Sequence, residues 1–172
     1  QNTDEAIARL QDQLVRHRSA ADGRLGAWST VVGHTTCSDP LWKAARALAD
    51  EHDVGMSFHM SPAKIDPDGF IAEFGQRPMV HLAEIGVLDR NVAMTHAVRI
   101  DDHELEFAPR LMAVQVDDSG LDVMAAHRTS VAHCPTTALK VSYGVTQIGK
   151  MPEMVQRGIN VSIGTDGNNA SN

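Results

Sequence analysis

Four polar residues close four short, largely apolar runs. His59 ends Val54-Gly-Met-Ser-Phe-His, His96 ends Val92-Ala-Met-Thr-His, His133 ends Thr129-Ser-Val-Ala-His, and Asp166 ends Val161-Ser-Ile-Gly-Thr-Asp. They stand 37, 37 and 33 residues apart. Each interval is close to one strand–helix unit, roughly 30 residues or more. Taken singly, a histidine near a strand end is a surface residue or a satisfied core residue. Taken together, polar residues at the carboxyl ends of successive parallel strands point at one face, where barrels build active sites. The residue types also fit one chemistry. His and Asp ligate zinc-like ions, and a catalytic site keeps one position open for water. Such an ion lowers the pKa of a bound water to about 7. A nearby carboxylate takes the proton and returns it to a leaving group. A histidine not on the ion polarises the group under attack.

The elements that must position these residues read as follows. Residues 3–20 form a helix, with Ile7, Leu10 and Leu14 at helical spacing and Asn2 and Glu5 as a capping pair. Residues 24–32 read as a strand. Ser38-Asp-Pro starts a helix that runs to about His52. Val54–His59 is a strand, and the Pro/Asp/Gly-rich residues 62–69 a loop. Pro78 opens a helix that stops at Gly86, and residues 92–98 form a strand. Residues 129–134 and 161–165 are strands, with a helix at 152–157 closed by Gly158. Between them, Ala97-Val-Arg-Ile-Asp-Asp is echoed by Ala113-Val-Gln-Val-Asp-Asp, and Pro109 prevents one continuous helix. Residues 101–127 therefore read as two short helices and an inserted loop. The alternation predicts an α/β fold of parallel strands joined by covering helices, because parallel crossovers need a helix-sized connection.

Composition narrows the function classes. In 172 residues, 15 Lys+Arg face 22 Asp+Glu, a net charge of −7 with no basic cluster, which argues against a nucleic-acid partner. Aromatics are 4%, too few for base-stacking platforms. No apolar run approaches the ~18–20 residues of a membrane-spanning helix. Cys37 and Cys134 make no disulfide framework, so a reducing, cytoplasmic setting is expected and both read as small buried residues. His17, His52, His81, His103 and His127 lie in helical or loop contexts and receive no role. His34 reads as a loop residue. Lys140 and Tyr143 fall in the loop after His133, within reach of a substrate, although exposure is the plainer reading of Lys140. Gly164, Gly167, Asn168 and Asn169 flank Asp166, and the glycines permit close backbone approach.

At these residues the sequence resembles the amidohydrolase superfamily, in the branch of chlorohydrolases and cytosine-deaminase-like aminohydrolases. The resemblance rests on Thr36-Cys-Ser-Asp-Pro-Leu, Phe58-His-Met-Ser, His81-Leu-Ala-Glu-Ile-Gly-Val-Leu, Thr95-His-Ala-Val, Ser130-Val-Ala-His-Cys-Pro and Gly164-Thr-Asp-Gly-Asn-Asn-Ala-Ser-Asn. It implies a TIM-like (β/α)₈ barrel of which residues 1–172 cover roughly strands four to eight. By resemblance His59 is a metal ligand, His96 contacts the substrate or the attacking water, and His133 faces the substrate. Asp166 binds the metal and shuttles the proton. The implied cofactor is one divalent ion, zinc first, with Fe, Co or Mn as alternatives.

Two departures shape the expectation. No His-x-His metal pair occurs in the chain, and a ~250-residue barrel does not fit in 172 residues. The chain is thus expected to be one piece of a barrel domain, lacking its N-terminal part and its C-terminus. Such a piece has two open parallel edges and should be poorly soluble alone. Deaminases of this branch also carry a Glu three residues after the first of these histidines, where Pro62 stands here. The expected activity is therefore hydrolysis of an amide- or carbamate-like, non-peptide carbon–nitrogen bond in a small molecule. The alternatives are an aminohydrolase (deaminase or dechlorinase) of a nitrogen heterocycle, and an inactive relative that only binds ligand. A homo-oligomer is left open.

Overall fold

The computed structural model describes residues 2–33, 36–100 and 119–167. Five strands, β1 (Ser29–Gly33), β2 (Met56–Met60), β3 (Val92–His96), β4 (Ser130–His133) and β5 (Val161–Ile163), lie side by side in sequence order. All four pairings are parallel. The helices are α1 (Thr3–His17), α2 (Asp39–Glu51), α3 (Ile65–Phe74), α4 (Pro78–Glu84), α5 (Ser119–Ala126), α6 (Pro135–Lys140), α7 (Val145–Ile148) and α8 (Met151–Gln156). Sequential parallel strands with intervening helices make this an α/β fold and part of a (β/α)₈ barrel.

The pleat sorts the side chains onto two faces. Met56, Phe58 and Met60 of β2, Val92 and Met94 of β3 and Val131 of β4 are buried on the helix side. There Phe58 meets Trp42 of α2 edge to face at 4.8 Å, and Leu82, Leu121, Met124 and Met154 of the later helices are also fully buried. The other face carries small and polar residues in two rows across the sheet. Thr30, Ser57, Ala93 and Ser130 are in register, followed by His59, Thr95, Ala132 and Ser162. Thr30 and Ser57 share a hydroxyl–hydroxyl hydrogen bond of 2.9 Å, and the Asn160 amide donates to Ser130 Oγ at 3.3 Å.

Local chemistry explains most boundaries. The Asn2 side chain caps α1 by accepting from the Glu5 N–H at 2.8 Å. Pro40 sits in the first turn of α2, where a missing N–H costs nothing. Three expectations need correction. The strand expected over residues 24–32 is only Ser29–Gly33, because the chain upstream turns back through an Ala20–Leu25 bridge and leaves Leu25 and Trp28 exposed. The loop expected over residues 62–69 contains the first half of α3. Pro67 is the third residue of α3, where the N–H has no partner within the helix, and a Lys64–Asp68 ion pair of 2.9 Å supports the first turn. The segment after His133 is likewise helical, as α6 and α7, rather than loop, and Lys140 ends α6. The expected helices and loop at 101–127 fall largely outside the described residues, as do His34, His103, Asn168 and Asn169. Only α5 is seen there.

Two histidines without an assigned role are structural. The His81 ring stacks on Phe74 at 3.9 Å, and its Nε2 bonds Asp39 at 2.8 Å, tying α4 to the start of α2. His127 Nδ1 donates to the Leu88 carbonyl at 3.0 Å.

Candidate active site

Strand ends bring the candidate residues together. His59 is the fourth residue of β2, His96 and His133 are the last residues of β3 and β4, and Asp166 lies three residues beyond β5. The His59 and His96 rings are 5.5 Å apart, and His96 Nε2 stands 4.0 Å from an Asp166 carboxylate oxygen. Donor atoms of His96, Cys134 and Asp166 all lie within 4.8 Å of one another, with His96 and Cys134 buried and Asp166 exposed. His133 belongs to the same strand-end row, next to Cys134.

The backbone at these ends is unusual. Ser61, His96, Ala97 and Asp166 all adopt positive φ, at 49°, 80°, 50° and 62°. A left-handed non-glycine residue costs of order 1–3 kcal/mol and gathers at functional sites. By strand alternation His96 would join Val92 and Met94 on the helix side. Its left-handed backbone ends the strand, and its ring lies against that of His59 instead. Backbone bonds lock the neighbouring ends, with Ala97 N–H on Met60 O at 3.1 Å and Arg99 N–H on Ser61 O at 2.9 Å.

Each titratable group has a legible setting. His59 Nδ1 donates to the Val32 carbonyl at 3.0 Å. That bond fixes the tautomer and puts the ring's lone pair on Nε2, as a metal-binding histidine requires. Burial lowers the His133 pKa, and His133 Nδ1 is buried with no hydrogen-bond partner among the described residues. Burial raises the Cys134 pKa and the Asp166 charge adds to it, partly opposed by the Asp166 backbone N–H. The sulfur thus stays a thiol. Tyr143 is held as a neutral phenol by burial first, then by the charges of Asp166 and Asp66.

Two donors each about 2.1 Å from a zinc ion span at most about 4.2 Å. The 4.0 Å between His96 and Asp166 is inside that span and wider than a hydrogen bond. The donors of His96, Cys134 and Asp166 are close enough to share a divalent cation, and the His59 ring lies next to that of His96. A cavity of about 910 Å³ lies elsewhere, at the amino ends of the strands among Trp28, Gly55, Asn91, Ser130 and Asn160, and none of the four candidate residues lines it.

Cys134 and Tyr143 are neighbours that residue types alone undervalued. Cys134 reads as a small buried residue and is one, but its sulfur lies within 4.8 Å of donor atoms of both His96 and Asp166. Its place directly after His133 was the available signal. Tyr143 approaches His96 edge-on, with ring centroids 5.6 Å apart.

The His133 shift has a pH consequence. The folded state binds a proton at His133 less readily than the unfolded chain, whose histidine pKa is about 6.5. Its contribution to stability is therefore present above about pH 6.5 and is lost as pH falls below that value. Denaturant unfolding of the full-length protein against pH should show this decline, and His133→Gln should flatten it. An unchanged slope in the variant would exclude His133 as the source.

A parallel α/β sheet with imidazoles and a carboxylate at its carboxyl ends has the placement of polar residues that (β/α)₈ barrels use to build active sites. The chain belongs to the amidohydrolase family, whose sequence profile matches residues 2–172. A 5'-deoxyadenosine deaminase of Methanopyrus kandleri is 33% identical over 132 residues, covering 77% of this chain and 26% of that protein. A 5-methylthioadenosine/S-adenosylhomocysteine deaminase of Aquifex aeolicus is 31% identical, with the same two coverages. The chain thus spans about a quarter of the length of these relatives. In structure, an adenosine deaminase of Xanthomonas campestris crystallised with bound zinc superposes with a TM-score of 0.76 at 22% identity, over 95% of this chain and 33% of that one. Among the described residues no helix is long and apolar enough to cross a membrane.

Proposed function

We propose that residues 1–172 are part of the catalytic barrel of a longer hydrolase, which cleaves a non-peptide carbon–nitrogen bond in a small molecule. The observation that carries this reading is the 4.0 Å approach of His96 to Asp166 beside the tautomer-fixed His59. His59 and Asp166 would hold one divalent ion, zinc first among the candidates, since imidazole and carboxylate are its common donors. When bound, the ion supplies a water acidic enough to ionise near neutral pH. Asp166 takes the proton released as the carbon–oxygen bond forms and passes it to the departing nitrogen. His96 donates to the oxygen or ring atom on which charge develops. His133, neutral because it is buried, faces the substrate as a hydrogen-bonding partner rather than as a charge.

Pro62 leaves no carboxylate at the third position after His59, which favours an amide- or carbamate-like substrate over ring deamination. A second reading has its own support. The relatives at 33% and 31% identity are both deaminases, which favours release of ammonia from an aminated nitrogen heterocycle. Both belong to one test. The full-length protein should carry about one equivalent of zinc-like metal, lose turnover on chelation and regain it on metal return. A panel of amides, carbamates and aminated heterocycles, read by amine or ammonia release, decides the bond. Absence of both metal and turnover across the panel would leave a ligand-binding relative with no chemistry.

A further inference from the structure

Asp166 is asked to handle both proton movements, while the rim beside β2 has Pro62 where an acid is expected. The turn between α6 and α7 brings a hydroxyl donor, Tyr143, to the end of β3. Tyr143 lies between two left-handed residues, Ser142 at φ 58° and Gly144 at φ 83°. Its N–H is fixed to the Ala138 carbonyl at 2.9 Å. At Gly144 a Cβ would come within 3.3 Å of Arg99 Nη2, so the turn is seated against the loop after β3. The result is a half-buried phenol ring set edge-on to His96 at 5.6 Å and 77° between planes. Elsewhere on the described strand ends, Ser61 Oγ just after β2, His133 Nδ1 at the end of β4 and Thr137 Oγ1 in α6 are buried with no hydrogen-bond partner among the described residues, although buried polar atoms are normally satisfied.

We propose that Tyr143 is a catalytic residue of this site, its phenol O–H donating a hydrogen bond to the departing nitrogen of the substrate. This rests on the reading of the site as a carbon–nitrogen hydrolase. The ring edge against His96 holds the phenol beside that histidine, and Asp66, buried at 3% exposure, and Asp166 lie close enough for their charges to act on it. A tyrosine phenol, with an ordinary pKa of about 10, is a hydrogen-bond donor at neutral pH. The bond strengthens as the nitrogen gains the electron pair of the breaking bond, so it acts in the transition state and not on binding.

The test uses the full-length protein, Tyr143→Phe, and a matched pair of substrates with the same acyl group or ring. One leaves as an amine, the other as p-nitrophenolate or chloride, which needs no donor. Phenylalanine keeps the ring contact with His96, and metal content and thermal midpoint verify that the site is intact. Expected is a loss of about 10²-fold in kcat on the amine substrate with KM little changed, and a loss under about threefold on its partner. Equal losses on both substrates, or none on either, would overturn the role of Tyr143 while leaving the hydrolase reading in place. A wild-type protein that turns over neither substrate overturns both.

Discussion

Asp166→Asn in the full-length protein should cut turnover by about 10³-fold or more while leaving the fold in place. General acid–base catalysis alone is worth about 10²–10⁴, and the same oxygen atoms are proposed to hold the metal. The carboxamide keeps the shape of the carboxylate but accepts no proton at neutral pH. The fold has little reason to respond, since Asp166 lies beyond the end of β5 with its side chain 27% exposed, and asparagine tolerates its left-handed backbone. Thermal unfolding should shift by no more than about 2 °C, consistent with a surface substitution of under ~0.5 kcal/mol. Activity assays beside metal analysis and circular dichroism check all three expectations. Turnover within tenfold of wild type would remove Asp166 from the mechanism and with it the proton path to the departing nitrogen.

Much of this architecture is legible in the linear sequence because its signals are local. Asn2 capping Glu5, Pro40 opening α2 and the apolar runs at 54–59, 92–96 and 129–133 each carry their own physical cause, and each appears where expected. The errors arise where a local rule meets a tertiary one. Pro67 and Gly69 suggest a loop, yet a proline in the first helical turn breaks no bond and α3 is held by Phe70, which is buried against the ring of His81. Leu25 and Trp28 suggest a strand, yet both are over half exposed, and only the residues that pair with β2 are extended. α6 and α7 are six and four residues long, too short to show a period.

The site divides in the same way. Residue type and 33–37-residue spacing suffice to find His59, His96, His133 and Asp166, because spacing reports strand–helix units directly. They do not report direction. The left-handed backbone at His96, the bond from His59 to Val32 and the closeness of Cys134 to His96 and Asp166 depend on how neighbouring strands end relative to one another. Tyr143 was legible only as a residue near the site, since its approach to His96 follows from a turn in which Ser142 and Gly144 are both left-handed.

Gly33→Ala should destabilise the full-length protein by about 2–5 kcal/mol and also lower its metal content. Gly33 has φ +89°, and a Cβ built there would lie 2.2 Å from the His59 carbonyl oxygen and 3.1 Å from its nitrogen. A left-handed alanine costs about 1–2 kcal/mol, and overpacking against a rigid backbone adds about 1–3 kcal/mol. The overlap cannot be relieved by a side-chain rotation, because both atoms it meets belong to the main chain. β1 must move away from β2 at the irregularity in their register between Thr30 and Gly33. That movement carries off the Val32 carbonyl, the acceptor that orients the His59 ring. Stability and metal affinity therefore fall together, with a loss of 10–100-fold in affinity typical of a disturbed orienting bond. Gly75→Ala is the control. Gly75 has φ +67° and nothing within 4 Å of its missing Cβ, and it closes α3 away from the site. It should cost only the conformational share, about 1–2 kcal/mol, with metal content unchanged. Equal effects of the two variants on metal binding would mean that β1 does not position His59.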